Sequence, residues 1–395
     1  MGNKINHKIF IILITVLIYI SSSSDIHAST ARTDKIGMGA RSFWTGENQL
    51  AKSKIPDYIS TIASTKVGYV RVFVSWNYIQ PPNLKNASPT DWQWEKVDLM
   101  INEIKNNGMD PVIMLYNPPA WATTVKGLPE QISWRKFVTK IVNRYGYSNG
   151  NKQVKYWEIL NEPDASTKFT GIEYGKFLEF TYPIIKSLDP QSQVLLAGLT
   201  QLSTRIDNGD WLNKFLTYNN AEFANYFDIF NVHAYGDTSG GGITRAKSIL
   251  SKWPTTKNKP FWVTEANLGS NIYKPITPCL NVEDLKYLTQ IETMFTNMLT
   301  QGADKVFLHS AECTYWTGPS IFIRESEGSD TPALIIRQNV LTRLTAIISS
   351  FISTKPGDFN GDGKVDLSDY NLIVSNFGNP YTIFDYNTLV ANYRK

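Results

Sequence analysis

Two glutamates in this chain stand at the ends of short apolar runs: Glu162 in YWEILNEPDA and Glu265 in PFWVTEANLG. Both runs read as buried parallel strands. Alternation along VKYWEILNEP puts Glu158, Leu160 and Glu162 on one side, with Glu162 at the C-terminal end. Two such carboxylates can divide one reaction between them. Glu162, protonated, donates to a glycosidic oxygen, while Glu265, ionised, attacks the anomeric carbon and is released again by water.

The residue types nearby fit that chemistry. Arg71 on YVRVFVSW is the best-placed cation for an ionised nucleophile, with an ordinary barrel ion pair as the other role open to it. His233 and Tyr235 in NVHAY precede the Glu265 strand, and a tyrosine hydroxyl there can fix Glu265 by a hydrogen bond. Asn161 can donate to a sugar 2-hydroxyl. Glu158 lies deeper and reads as structural, Glu312 as a substrate hydrogen-bonder or a structural group, and His309 as a core residue. Trp44, Trp76, Tyr116, Trp121 and Trp316 fall at or beyond predicted strand ends, where a ring can stack on a sugar or pack in the core. With only His233 and His309 beyond the leader, no histidine-rich metal centre is expected, and catalysis needs no cofactor.

The positions of these groups follow from the elements that carry them. Glu162 and Glu265 are 103 positions apart, room for three βα units of about 34 residues each. That places them on strands 4 and 7 of an eight-fold series. The strand candidates number eight: IGMGARSFW, YVRVFVSW, DPVIMLY, VKYWEIL, QVLLAGL, FDIFNVHAY, PFWVTE and DKVFLHSA. Amphipathic segments such as SWRKFVTKIVNRYG and VEDLKYLTQIETMFTNMLTQG lie between them. The fold class is α/β, a (β/α)8 barrel over residues 35–352. An open doubly wound sheet would want a glycine-rich phosphate turn after its first strand, and none is present.

A chain of 395 residues, 42% apolar and 13% aromatic, can bury a large core unaided. A net charge of +4 with no Lys/Arg-rich run argues against a nucleic-acid groove. Lys4 and Lys8, the apolar Phe10 to Ile20 and the small residues ending at Ala28 have the form of a secretory signal over 1–28. Its apolar run is too short to span a membrane, so export is expected. Cys279 and Cys313 would follow strands 7 and 8 on one face in an oxidising setting; a disulfide is expected, with two free thiols as the alternative.

Residues 353–357 (STKPG) read as a linker, after which DFNGDGKVDLSD places Asp358, Asn360, Asp362, Asp366 and Asp369 as oxygen ligands. Lys364 adds a backbone carbonyl, and Gly363 stands where a calcium loop turns sharply. Position twelve is Asp in place of the usual Glu. The stretch Asp369 to Phe377 recurs as Asp385 to Tyr393, its second copy without a calcium loop. Structural calcium is therefore expected in a small helical module over 358–395.

Asn161-Glu162-Pro163 and the glutamate of Val263-Thr264-Glu265 resemble the acid/base and nucleophile motifs of the clan A retaining glycoside hydrolases, barrels with catalytic glutamates on strands 4 and 7. Arg71, His233, Tyr235 and Trp316 resemble accessory positions of its families 5 and 39. The resemblance implies hydrolysis of a plant or microbial β-glycan with retained configuration. The tail resembles a dockerin with a degenerate second repeat, which implies a cohesin-type scaffold partner. The alternative is a non-catalytic carbohydrate-binding barrel docked on such a scaffold.

Overall fold

The computed structural model describes residues 32–40, 50–83, 89–148, 153–165, 170–200, 210–268, 284–312, 320–324, 334–352, 355, 357–359, 364–375, 377, 381 and 383–393. They fall into two compact units, one within Arg32–Thr354 and one drawn from Lys355–Lys395. The expected signal (1–28), Trp44, Trp316, Cys279, Cys313, Asn360 and Asp362 lie outside the described residues.

The strands of the larger unit are β1 (Thr33–Ala40), β2 (Val67–Ser75), β3 (Asp110–Tyr116), β4 (Tyr156–Ile159), β5 (Gln193–Leu195), β6 (Phe230–Tyr235), β7 (Phe261–Asn267) and β8 (Lys305–Leu308). They form one sheet in the order β5-β4-β3-β2-β1-β8-β7-β6, with parallel pairing throughout. Its two edges meet through the parallel bridges Leu195 to Ile229 and Leu199 to Val232, and a nearly closed (β/α)8 barrel results. A short antiparallel pair, β9 (Phe322–Arg324) and β10 (Leu334–Ile336), follows β8.

The helices are α1 (Ile55–Ser64), α2 (Trp76–Ile79), α3 (Glu95–Asn106), α4 (Gln131–Tyr145), α5 (Gly171–Leu188), α6 (Asp210–Thr217), α7 (Gly241–Leu250), α8 (Asp284–Thr300) and α9 (Gln338–Ser349). Their starts are chemically marked. The Glu130 carboxylate accepts from the amides of Ile132 (2.9 Å) and Ser133 (2.8 Å) to cap α4, and Thr170 with Glu173 forms a capping box on α5. Among the described residues no helix is long and apolar enough to cross a membrane.

Alternation divides each strand between two cores. On β2, Val70, Val72 and Val74 face outward into the helical layer, which also buries Trp134, Phe137 and Trp157. Tyr69 belongs to a second cluster with Val112, Leu195, Ile229, Trp262 and Phe307. These residues form one cluster inside the barrel, on the floor side, and plug it with rings. Polar groups are left for the opposite mouth, so much of the aromatic excess is packing.

The smaller unit holds α10 (Leu367–Ser375) and α11 (Ile383–Asn392) around Val365, Ile373 and Leu389. Gly357, read in sequence as linker, belongs to this unit: a Cβ there would lie 3.1 Å from Leu389 Cα and from Thr388 O. Its φ of 94° is one that L side chains rarely adopt.

Candidate active site

Arg71 is the centre of the barrel mouth. Its β2 parity points it inward, and it is fully buried. Its Nε donates to Glu158 Oε2 at 2.7 Å and its Nη2 to Glu158 Oε1 at 2.9 Å, a bidentate pair across to β4. Nη1 donates to Glu265 Oε1 at 2.6 Å, and Nη2 also reaches Asn161 Oδ1 at 3.0 Å. Burial disfavours the guanidinium charge, but Glu158 and Glu265 more than restore it and raise its pKa. One guanidinium thus bridges Glu158 and Glu265. The Phe73 ring supports the guanidinium 4.7 Å from its centroid.

Glu265 reaches the mouth through a bulge. Phe261 and Val263 belong to the outer core and Trp262 to the barrel floor, so strict alternation would send residue 265 outward. Between β6 and β7, however, Val232 pairs with Val263 and His233 with Glu265, leaving Thr264 as an extra residue. The β8 pairing slips over the same stretch. This inserted residue turns Glu265 inward.

There Arg71 holds one carboxylate oxygen, and the Tyr235 hydroxyl donates to the other. His233 Nδ1 and His309 Nδ1 each lie 3.6 Å from Oε2. Burial alone would raise the pKa of the carboxyl. The fields of His233, His309 and Arg71, with the Tyr235 hydrogen bond, outweigh burial and hold it far below the usual carboxylate range.

Glu162 arrives differently. The inward alternation expected for Glu158, Leu160 and Glu162 stops after Glu158, because β4 ends at Ile159 and Leu160 packs in the outer core. Leu160 (φ 65°) and Glu162 (φ 45°) both take left-handed backbone, a conformation costing about 1–2 kcal/mol for such residues. Together they bring Glu162 over the mouth with 30% of its side chain exposed. Its Oε1 is 2.7 Å from His233 Nδ1.

Burial disfavours the His233 imidazolium, but Glu265 and Glu162 outweigh that effect and raise its pKa. Acceptor atoms of Glu162, His233 and Glu265 all lie within 4.8 Å of one another. A metal ion would compete there with the Arg71 guanidinium already 2.6 Å from Glu265, so a hydrogen-bonded cluster is the better account of these three.

The remaining expected site residues divide. Asn161 joins the cluster through Arg71. Trp121 is half-buried in the loop after β3, edge-on to Trp76 at 5.4 Å. Trp76 does not serve as a sugar platform: it is fully buried and stacks on Phe137 at 4.8 Å. The reason is parity, since Arg71, Phe73 and Ser75 take the inward positions and residue 76 must turn out. Glu312 is buried and accepts from the Tyr58 hydroxyl on α1, a structural role. Sequence reading missed Asp164, which accepts from the Thr200 amide at 3.0 Å and its hydroxyl at 2.9 Å. That ties the loop carrying Glu162 to the segment that follows β5.

Residues 28–303, well over half of the chain, match the model of the family Cellulase (glycosyl hydrolase family 5). The chain belongs to glycosyl hydrolase family 5. Among solved structures this family 5 barrel is similar to a family 39 glycoside hydrolase from Bacteroides cellulosilyticus WH2, with TM-score 0.60 and 13% identity over 81% of this chain and 64% of that one. It is also similar to a monomeric beta-xylosidase from Caulobacter crescentus CB15, with TM-score 0.56 and 14% identity over 79% of this chain and 67% of that one. A glucosidase from Croceicoccus marinus gives TM-score 0.56 and 15% identity over 81% and 68%. At these identities the likeness is one of fold. The chain thus spans less than two thirds of the first of these proteins. No curated protein matches the family 5 chain in sequence.

Proposed function

We propose that this family 5 chain is an exported retaining β-glycosidase acting on a plant or microbial β-glycan. The observation that carries the proposal is the approach of Glu162 and Glu265, whose oxygens lie within 4.8 Å across one mouth. Direct attack wants carboxyl groups about 5–5.5 Å apart, whereas inversion needs about 6.5–9.5 Å to admit a water.

In the first step Glu265 forms a bond to the anomeric carbon, the glycosidic C–O bond breaks, and Glu162 gives its proton to the departing oxygen. Glu265 loses its charge in the ester, and Arg71 keeps Glu158 as a partner, so no buried cation is stranded. Glu162 then takes a proton from water as that water attacks the same carbon, which frees Glu265. Asn161 Oδ1 is occupied by Arg71, which directs its amide N–H groups to a sugar hydroxyl.

We assign structural calcium to the tail. Asp358 and Asp369 are buried, and Asp369 accepts from the amides of Phe359 at 2.7 Å and Asp366 at 2.9 Å, drawing the loop closed. With Asp366 and the Lys364 carbonyl they make an all-oxygen set that suits a hard cation, and Asn360 and Asp362 belong to the same proposal. The ion would supply no chemistry beyond holding the loop. A cohesin-type partner is supported by repeat-related apolar residues: Leu367 and Ile383 are 58% and 53% exposed, Val374 and Val390 53% and 54%. Export and a Cys279 to Cys313 disulfide complete the proposal.

The test is hydrolysis of a panel of aryl β-glycosides and β-glycans by the wild type beside Glu162→Gln and Glu265→Gln. Turnover by the wild type and its loss in both variants is the expected result. Sugar binding with no turnover by the wild type would favour a non-catalytic barrel.

A further inference from the structure

Gly198 lies just beyond β5, where the barrel closes on β6, and its N–H donates to Glu158 Oε1 at 3.0 Å. A Cβ on Gly198 would stand 2.0 Å from His233 Nε2 and 2.3 Å from His233 Cδ2. Its φ lies outside the left-handed region, so no backbone strain bars alanine, and the three atoms nearest that Cβ all belong to the imidazole. The ring has little room to retreat. It is fully buried, its own amide is tied to Leu199 O at 2.7 Å, and Arg71 Nη2 stands 3.5 Å from Nε2.

We infer that Gly198 is a positioning residue: the space left by its missing side chain is where the His233 imidazole lies, and that seat lets Nδ1 reach Glu162. An added methyl would push the ring by about 1 Å or more in a close-packed interior. Displacement on that scale breaks a 2.7 Å hydrogen bond. Glu162 would lose the contact that fixes the direction of its proton. The inference rests on the acid/base reading of Glu162 and adds a requirement at a position that acts through the His233 ring.

The test is a cycle of Gly198→Ala, His233→Ala and the double variant, read by kcat/KM and by thermal melting. Gly198→Ala is expected to lower kcat/KM by about 10²-fold on a phenyl β-glycoside. The loss should be smaller on a dinitrophenyl β-glycoside, whose leaving group needs no proton; a merely structural defect would affect both alike. In the His233→Ala background the methyl has room, so Gly198→Ala should change kcat/KM by less than about twofold and leave melting unaltered. Equal losses in the two backgrounds, or a wild-type rate in Gly198→Ala, would overturn the inference.

Should Gly198→Ala not fold, recovery of the fold in the double variant supports the seat and continued unfolding refutes it. An inactive wild type would defeat the acid/base reading, yet the melting cycle would still decide whether the ring occupies that space.

Discussion

His233 Nδ1 stands 2.7 Å from Glu162 Oε1 and 3.6 Å from Glu265 Oε2. One buried imidazole therefore touches the expected acid and faces the expected nucleophile. The two carboxylates are coupled through it.

Stability should depend on pH at both ends of the range. The folded-state pKa of His233 is raised above the ordinary value of about 6.5. Its contribution is complete below that value and is lost as pH rises through the higher folded value. Glu265 is depressed below about 4.3, so its contribution is complete above that value and fades as pH falls toward the folded value. Denaturant unfolding across pH should show Glu265→Gln losing stability less steeply than wild type on the acid side, and His233→Ala less steeply on the alkaline side. Parallel curves would contradict the coupling.

Arg71→Met leaves Glu158 and Glu265 without their shared cation in a buried site. Loss of one member of a buried ion pair costs about 3–5 kcal/mol, so the unfolding free energy should fall by that amount and the barrel should melt earlier. Arg71→Lys keeps the charge but loses the fork that holds Glu158 through two nitrogens, and its kcat should fall as well. Wild-type melting of Arg71→Met would show that the network is dispensable.

Trp76→Ala should act on stability rather than on sugar binding. Its fully buried ring stacks on Phe137, and removal of such a ring costs about 3–5 kcal/mol. The KM of the variant, measured below its melting transition, should match wild type. A raised KM with unchanged melting would return Trp76 to the sugar site.

Which residues could be placed from sequence depended on how far regular alternation holds. Arg71, His233 and Tyr235 stand on strand segments of regular alternation, where position on the strand and residue type are enough to single them out. Glu265 could be named from its strand-end position, but its inward aim depends on the bulge at Thr264, which an apolar run does not encode. Leu160 escaped for a related reason: its left-handed backbone ends the strand, a conformation side-chain type alone does not announce. Trp76 misled because a strand-end tryptophan looks the same whether it turns in or out. The fit of Gly198 against His233 joins residues 35 positions apart, and only the closed barrel brings them together.

Calcium chelation should separate the two units. All eleven tryptophans lie at or before Trp316, so tryptophan fluorescence reports the barrel while limited proteolysis reports the tail. Chelator is expected to expose residues 358–395 to protease and leave the fluorescence transition in place, because the loop folds around its ion. Simultaneous loss of both signals would contradict a calcium site confined to the tail.

The most direct measurement is proton NMR of the first sugar released from a β-glycoside, taken before mutarotation. Attack by Glu265 followed by water at the same carbon predicts the β-anomer first. Initial appearance of the α-anomer would mean a single inverting displacement and would contradict the roles given to Glu162 and Glu265.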